Sequence, residues 1–119
     1  YPIGGEYHVP HGPSLTCLVN SCFDYIMVAK QERFVQIAKA MGENTEGLSD
    51  REAARLALDA INEVLLRLNL PRSLTDLNIT DKSKVDQWAI DGYSEQRLLS
   101  RSARKLSVED IKKIYINAF

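Results

Sequence analysis

The feature that most constrains the fold is the recurrence of apolar residues at helical spacing over most of the chain. The clearest segment begins at Ser49, which has capping-box spacing to Glu52 and is followed by an apolar face that continues until Pro71. The members of that face are Ala54, Ala57, Leu58, Ile61, Val64, Leu65 and Leu68. No segment alternates convincingly between apolar and polar residues, as a half-buried strand would. The sequence therefore predicts an all-α fold, a small helical bundle.

Four further helices are expected around this one. They are predicted at residues 14–28, 31–41 and 80–99 and from 107 onwards. The first of them is apolar on most sides, which is typical of a buried helix. Thr80 is the expected N-cap of the third, and Ser107 with Asp110 forms a second capping box. The residues expected in the core of the last two are Val85, Trp88, Ala89, Leu98, Ile111, Ile114, Tyr115 and Ala118.

Residues 1–13 differ from the rest, because they hold three of the six glycines and three of the four prolines. Such a composition favours a loop, with Pro13 at the first helical position that follows it. The domain prediction is thus one helical unit over residues 1–119, consisting of a loop over 1–13 and about five helices.

Composition excludes several functional classes. A formal net charge of −1 gives no basic field for a nucleic acid partner. No apolar run approaches the roughly 20 residues that span a bilayer, and residues 1–12 lack the features of a secretory signal. Two cysteines do not make a disulfide framework. We expect a reduced, cytoplasmic protein with no membrane or nucleic acid partner.

The concentrated chemical signal is the segment GGEYHVPHG over residues 4–12. His11 lies just before a predicted helix start, whose positive end favours a neutral imidazole with a lone pair for a divalent metal. Gly12 would allow a ligand or cofactor to approach closely. The alternative is that His11 merely caps a helix while His8 is an exposed loop residue, and the spacing alone favours that alternative.

The same segment resembles the motif that iron-containing alcohol dehydrogenases carry where their helical domain meets the catalytic cleft. The resemblance continues, in order, through RFVQIAKAMGENTEGL (33–48), LPRSL (70–74) and LSVEDI followed by IY (106–115). It therefore covers nearly the whole chain. YPIGG (1–5) and EQRLL (95–99) are most similar to the 4-hydroxybutyrate dehydrogenase branch, which interconverts 4-hydroxybutyrate and succinate semialdehyde.

The resemblance implies a two-domain enzyme of which this chain is the C-terminal, metal-binding half. An N-terminal α/β domain, absent from this sequence, would bind NAD(P), and one aspartate and three histidines would hold iron or zinc. His11 matches the last of those histidines, and the other ligands would lie upstream. Tyr1 occupies a position where many members have a histidine near the nicotinamide. The metal would act as a Lewis acid on the oxygen of a small alcohol or aldehyde during hydride transfer.

Several expectations follow from that implied architecture. With one remaining ligand, this chain alone should hold neither metal nor NAD(P) tightly and should have no dehydrogenase activity. Members of the family commonly associate, so a homo-oligomer is also expected. Apolar surface that normally faces the other domain should be exposed on the isolated chain.

Arg97 is the candidate for binding a substrate carboxylate, with Arg101 and Arg104 close in sequence. Solvated helix surface is the more frequent explanation of such arginines. Cys17 and Cys22 lie about 140° apart around a helix axis, which is poor geometry for a shared metal and favours a packing role.

A competing function comes from a different class of protein. The chain would then be a stand-alone helical binding or interaction module, or a degenerate remnant, in which the GGEYHVPHG loop has lost its function. An upstream glycine-rich βα unit with an aspartate and two further histidines would favour the enzyme instead.

Overall fold

The computed structural model describes residues 1–119 and is all-α, which confirms the predicted fold class. Its seven α-helices are α1 (Pro2–Tyr7), α2 (His11–Ile26), α3 (Gln31–Ala40), α4 (Asp50–Arg67), α5 (Val85–Ser94), α6 (Gln96–Leu99) and α7 (Val108–Ile116). Short 3₁₀ turns lie at Met27–Ala29, Thr75–Leu77 and Lys82–Lys84. None of the helices has the length and apolar character that crossing a membrane requires.

Both predicted capping boxes are confirmed. At the start of α4 the Glu52 carboxylate accepts from the Ser49 backbone N–H at 2.9 Å, while Ser49 Oγ accepts from the Glu52 N–H at 3.3 Å. Ser107 and Asp110 make the same pair of bonds at the start of α7, at 2.9 and 3.2 Å. Each box satisfies two N–H groups that have no partner within the helix, so these helix starts are fixed by local sequence.

Helices α3 and α4 end in the same way. Gly42 has φ 89° after α3, and the Glu43 N–H reaches back to the Ala38 carbonyl at 3.0 Å. Asn69 has φ 53° after α4, and the Leu70 N–H reaches the Leu65 carbonyl at 2.9 Å. Both are Schellman motifs, in which a left-handed residue lets the chain turn back on the last carbonyls.

The prediction of a loop over residues 1–13 was wrong. Pro2–Tyr7 form α1, and α2 begins at His11, two residues before Pro13. Pro13 is still tolerated, because the first four N–H groups of a helix have no intrahelical acceptor. α1 has no side-chain cap and contains two glycines, so contacts with the rest of the domain hold it. Ile3, which is only 2% exposed, is the buried residue that provides its main apolar contact.

The expected helix over 80–99 is divided. Asp81, not Thr80, caps its start by accepting from the Ser83 N–H at 2.9 Å, because a carboxylate reaches the N–H two residues on. The chain leaves helical geometry at Glu95, where ψ is 51°, and α6 follows as a single turn. Leu98, which lies on α6, is 44% exposed, so the prediction that it belongs to the core was wrong.

The prediction that the first long helix, α2, is buried on all sides was also wrong. Cys17 and Ser21 are its buried residues, whereas Leu15 is 56% exposed, because other elements of the chain cover only one side of the helix. Along the predicted apolar face of α4 and its C-cap, Val64 and Leu68 are likewise exposed, and Ile61 is only half-buried. The other expected core positions, which the structure confirms as buried, are Ala54, Ala57, Leu58, Leu65, Val85, Trp88, Ala89, Ile111, Ile114, Tyr115 and Ala118.

The core consists of two separate hydrophobic clusters. The Trp88 cluster joins α1, α2, α5 and α7, and its buried members include Ile3, Cys17 and Tyr115. The Phe34 cluster joins the end of α2 with α3 and α4. The domain is correspondingly elongated, with extents of 44 × 31 × 21 Å. An apolar pocket lies beside the Trp88 cluster, with Ile3 and Tyr115 in its lining.

Candidate functional site

The candidate site is an apolar pocket of about 500 Å³ that lies between α1, the start of α2 and α6. Ile3, Val9, Leu18, Leu98 and Tyr115 supply its apolar wall, and His11 lies on its lining. These residues come from four helices and from the short connection between α1 and α2. The pocket therefore exists only because the ends of the chain fold back onto α2.

His11 is positioned by being the first residue of α2. Its backbone carbonyl accepts from Ser14 Oγ at 2.8 Å, which anchors the first turn, while its imidazole is exposed and hydrogen-bonds to nothing in this chain. His8 ends α1 in the left-handed conformation, with φ 53°, and does not line the pocket. The structure thus brings one of the two histidines to the pocket.

The chain offers a metal one ligand at this place. No group of three or more histidine, cysteine, aspartate or glutamate side chains converges anywhere in the structure. A catalytic metal site uses several protein ligands and keeps a position open for water or substrate. The free imidazole of His11 fits such a metal only as one member of a larger ligand set.

Glu6, inside the same motif, holds α1 in place and was missed by sequence reasoning. Its carboxylate accepts from the Trp88 indole N–H at 2.7 Å and from Lys84 Nζ at 3.0 Å. The bond from Trp88, followed by that from Lys84, lowers the pKa of Glu6 below its ordinary value. Tyr7 packs edge-on against Trp88, with ring centroids 5.9 Å apart. A buried indole that needs an acceptor was the one available hint, but it did not indicate which acceptor.

The glycines of the motif leave space beside His11. An alanine Cβ at Gly4 would meet the Val9 carbonyl at an ordinary 3.6 Å, and at Gly5 and Gly12 it would meet nothing within 4 Å. All three lie within helices, where glycine is less favourable than alanine. The backbone does not require these glycines, so the space they leave is available to something outside the chain.

The three arginines considered for carboxylate binding have different surroundings. Arg97 is exposed on α6 and does not line the pocket, although its neighbour Leu98 does. Arg101 is exposed as well. Arg104 packs against α2, where it donates to the Tyr25 carbonyl at 2.9 Å and lies 4.2 Å from the Tyr25 ring centroid. Arg104 is therefore a packing residue.

The two cysteines have packing roles, as predicted. Cys17 is buried, Cys22 is half-buried, and they form no disulfide. Burial raises the pKa of both thiols to about 11. They remain protonated at neutral pH and are poor nucleophiles and poor metal ligands.

Fold and site together define a helical domain that presents a histidine at a helix start, beside an apolar pocket. Over residues 1–119 the sequence matches the model of the Fe-containing alcohol dehydrogenase family, C-terminal. It is 31% identical over its whole length to long-chain-alcohol dehydrogenase 1 of Geobacillus thermodenitrificans, of which it covers 30%. Over 68% of its length it is 38% identical to 1,3-propanediol dehydrogenase of Citrobacter freundii, of which it covers 21%.

A solved structure agrees with these sequence relatives. The alcohol dehydrogenase from Oenococcus oeni superposes on 98% of this chain with a TM-score of 0.91 and 33% identity, and the match covers 30% of that protein. The chain belongs to the iron-containing alcohol dehydrogenase family and corresponds to its C-terminal helical domain. It spans about 30% of the length of the full-length relatives it matches.

Proposed function

We propose that this chain is the metal- and substrate-binding half of an NAD(P)-dependent alcohol dehydrogenase. The observation that carries the proposal is the position of His11, which presents an unpartnered imidazole beside an apolar pocket at a helix start. Family membership supports the same assignment.

Within this proposal, His11 supplies one of several metal ligands, and an aspartate and two histidines from an N-terminal domain supply the others. The ion, iron or zinc, would polarise the substrate oxygen when bound, while NAD(P) would exchange hydride with the substrate carbon. The wall formed by Ile3, Leu18 and Leu98 holds the hydrocarbon part of the alcohol and excludes water around the reacting oxygen. The space beside Gly4 and Gly5 admits the nicotinamide or the substrate.

The role of His11 is tested in the full-length protein that carries this chain. We expect His11→Ala to reduce bound metal and to lower kcat/KM for alcohol oxidation by at least about 100-fold, since even residues behind the ligands cost roughly 10–100-fold when mutated. His8→Asn is the matched control, because His8 lies outside the pocket and asparagine tolerates its left-handed conformation. Unchanged metal content in His11→Ala would overturn the proposed ligand.

The isolated 119 residues should show no NAD(P)-linked oxidation, because they provide one ligand and no nucleotide-binding domain. Activity of this chain alone would contradict the proposal that the metal ligands and the nucleotide-binding site are divided between two domains. The competing function, a stand-alone helical binding module, predicts a native protein near the chain's own 13.4 kDa. The intact mass of the native protein, purified with an antibody to this chain, separates the two hypotheses.

The assignment to the 4-hydroxybutyrate dehydrogenase branch is a separate proposal. If the substrate is 4-hydroxybutyrate, Arg97→Ala should raise KM for that carboxylate but not for a neutral alcohol. A cytoplasmic location and association into homo-oligomers stay predictions of the same kind.

A further inference from the structure

The start of α2, which carries His11, is tied to the rest of the domain by the segment before it. No side chain caps α2, whereas capping boxes close the starts of α4 and α7. The bond from the Ser14 hydroxyl to the His11 carbonyl lies within the first turn of α2 itself, so it cannot attach that turn to another element. Because an uncapped helix start is less stable than a capped one, the position of His11 depends on the residues that precede it.

The segment before His11 is short and conformationally restricted. Residues 8–10 are all that separate α1 from α2. Pro10 has its φ fixed by the ring, at −54°, and Val9 packs against the Trp88 cluster. Three residues reach at most about 11 Å, so α1 cannot move far without displacing the first turn of α2.

The end of α1 is fixed to α5 through Glu6 and Tyr7. The Glu6 carboxylate accepts from the Trp88 indole N–H at 2.7 Å, and Tyr7 packs edge-on against the same ring. Trp88 is 1% exposed, so it offers α1 a rigid partner. Lys84 also donates to Glu6, at 3.0 Å, but both side chains are partly exposed, and an exposed ion pair contributes little. The bond to Trp88 is therefore the polar contact that fixes the end of α1.

We infer that Glu6 is a positioning residue for the metal site, which holds α1 against α5 and thereby keeps the His11 imidazole beside the pocket. This inference rests on the proposed function, in which His11 is a metal ligand. Glu6 is not part of the pocket lining, so it acts on the metal through His11. A ligand that is already in place loses less conformational freedom when the metal binds, so the affinity is higher. Without the bond to Trp88, the start of α2 would have to be ordered during binding.

The first test measures the affinity of the full-length protein for Zn²⁺ by competition with a chromophoric chelator. We expect Glu6→Ala to weaken binding about 10- to 100-fold, the usual effect of losing a residue that orients a metal ligand. Glu6→Gln should weaken it only about two- to threefold, because the amide oxygen can still accept from Trp88 while the exposed ion pair is lost. Asp86→Ala is the matched control, since it removes another lysine-paired carboxylate, the partner of Lys112, and should leave the affinity unchanged. Unchanged affinity in Glu6→Ala, or equal losses in Glu6→Ala and Glu6→Gln, would overturn the inference.

Two further variants separate positioning from a general loss of stability. Phe34→Ala weakens the Phe34 cluster, which contains no residue of α1 or α5, so at a temperature where every variant is folded it should bind Zn²⁺ as tightly as the wild type. In the His11→Ala background, Glu6→Ala should cause no additional loss, because Glu6 acts through His11. A loss in Phe34→Ala as large as that in Glu6→Ala, or a full additional loss in the double variant, would contradict the positioning role.

The behaviour of the wild type separates this inference from the proposed function. Zn²⁺ is the probe because a given set of nitrogen and oxygen ligands binds it more tightly than Fe²⁺. A wild-type protein that binds no Zn²⁺ would refute the proposed function itself. If the wild type binds Zn²⁺, His11→Ala weakens binding and Glu6→Ala does not, then His11 is a ligand and the positioning role of Glu6 fails.

Discussion

At the scale of single residues, the glycines of this domain fall into two kinds. Gly42, which ends α3, has φ 89°, a conformation that residues with a side chain rarely adopt. Gly5 lies within α1 and lines the pocket beside His11, and a methyl group at this position would meet no other atom within 4 Å. The first glycine is required by the backbone, whereas the second weakens a helix and leaves space for a ligand.

This difference predicts opposite effects of the same substitution. Gly5→Ala should stabilise the domain by about 0.5–1 kcal/mol, because alanine is the better helix former and meets no obstacle. Gly42→Ala should destabilise it by about 1–2 kcal/mol, since alanine is strained at positive φ. Urea denaturation of both variants measures the pair, and a destabilised Gly5→Ala would show that α1 has no room for the methyl group. In the full-length enzyme, Gly5→Ala should nevertheless lower activity.

At the scale of elements, Asp110 joins two helices. It completes the capping box of α7 with Ser107, and its other oxygen accepts a hydrogen bond from the Tyr25 hydroxyl of α2. Arg104 lies over the Tyr25 ring, 4.2 Å from its centroid. Hydrogen bonds from the Ser107 N–H, the Tyr25 hydroxyl and the Ser107 hydroxyl lower the pKa of Asp110 from 3.8 to about 2.

A depressed carboxyl pKa stabilises the fold only while the group is ionised. The contribution of Asp110 is therefore complete above its unfolded value near 3.8 and is lost as the pH falls towards about 2. Asp110→Asn should lower Tm at pH 7, and the difference from wild type should shrink between about pH 4 and pH 2. Glu109→Gln, which removes a charge from the same helix, is the control. Parallel Tm curves for wild type and Asp110→Asn across that range would contradict the role of the carboxylate.

Some helix boundaries could be predicted from the sequence and others could not. The starts of α4 and α7 depend on hydrogen bonds between residues three apart, so Ser49 and Ser107 were sufficient to predict them. α1 could not be predicted from the sequence, because it is a segment of six residues that contains two glycines. It is held in helical form by the packing of Ile3 and by the hydrogen bond between Glu6 and Trp88, which lie 82 positions apart. His11 was proposed as a metal ligand from its motif, whereas the pocket beside it forms only when four helices are assembled.

At the scale of the whole molecule, the two hydrophobic clusters divide the domain. The single tryptophan lies in one cluster, where its ring is stacked at 6.4 Å against Phe119 and tilted at 5.5 Å against Tyr115. Phe34 packs edge-on against Phe23 in the other cluster, with centroids 5.4 Å apart. α2 is the element that contributes to both. The proposed site belongs to the Trp88 cluster, so loss of the α3–α4 side need not disturb it.

We therefore predict that the two clusters unfold separately when one of them is weakened. Phe34→Ala should destabilise its own cluster by about 3–5 kcal/mol, the usual range for a buried phenylalanine. Loss of helical circular dichroism should then begin at a lower temperature than the change in Trp88 fluorescence, because the indole reports only on its own cluster. Ile111→Ala, in the Trp88 cluster, is the matched control and should advance the fluorescence change instead. If both signals shift together in Phe34→Ala, α2 couples the clusters into one cooperative unit, and a weakened α3–α4 side would also disturb the pocket beside His11.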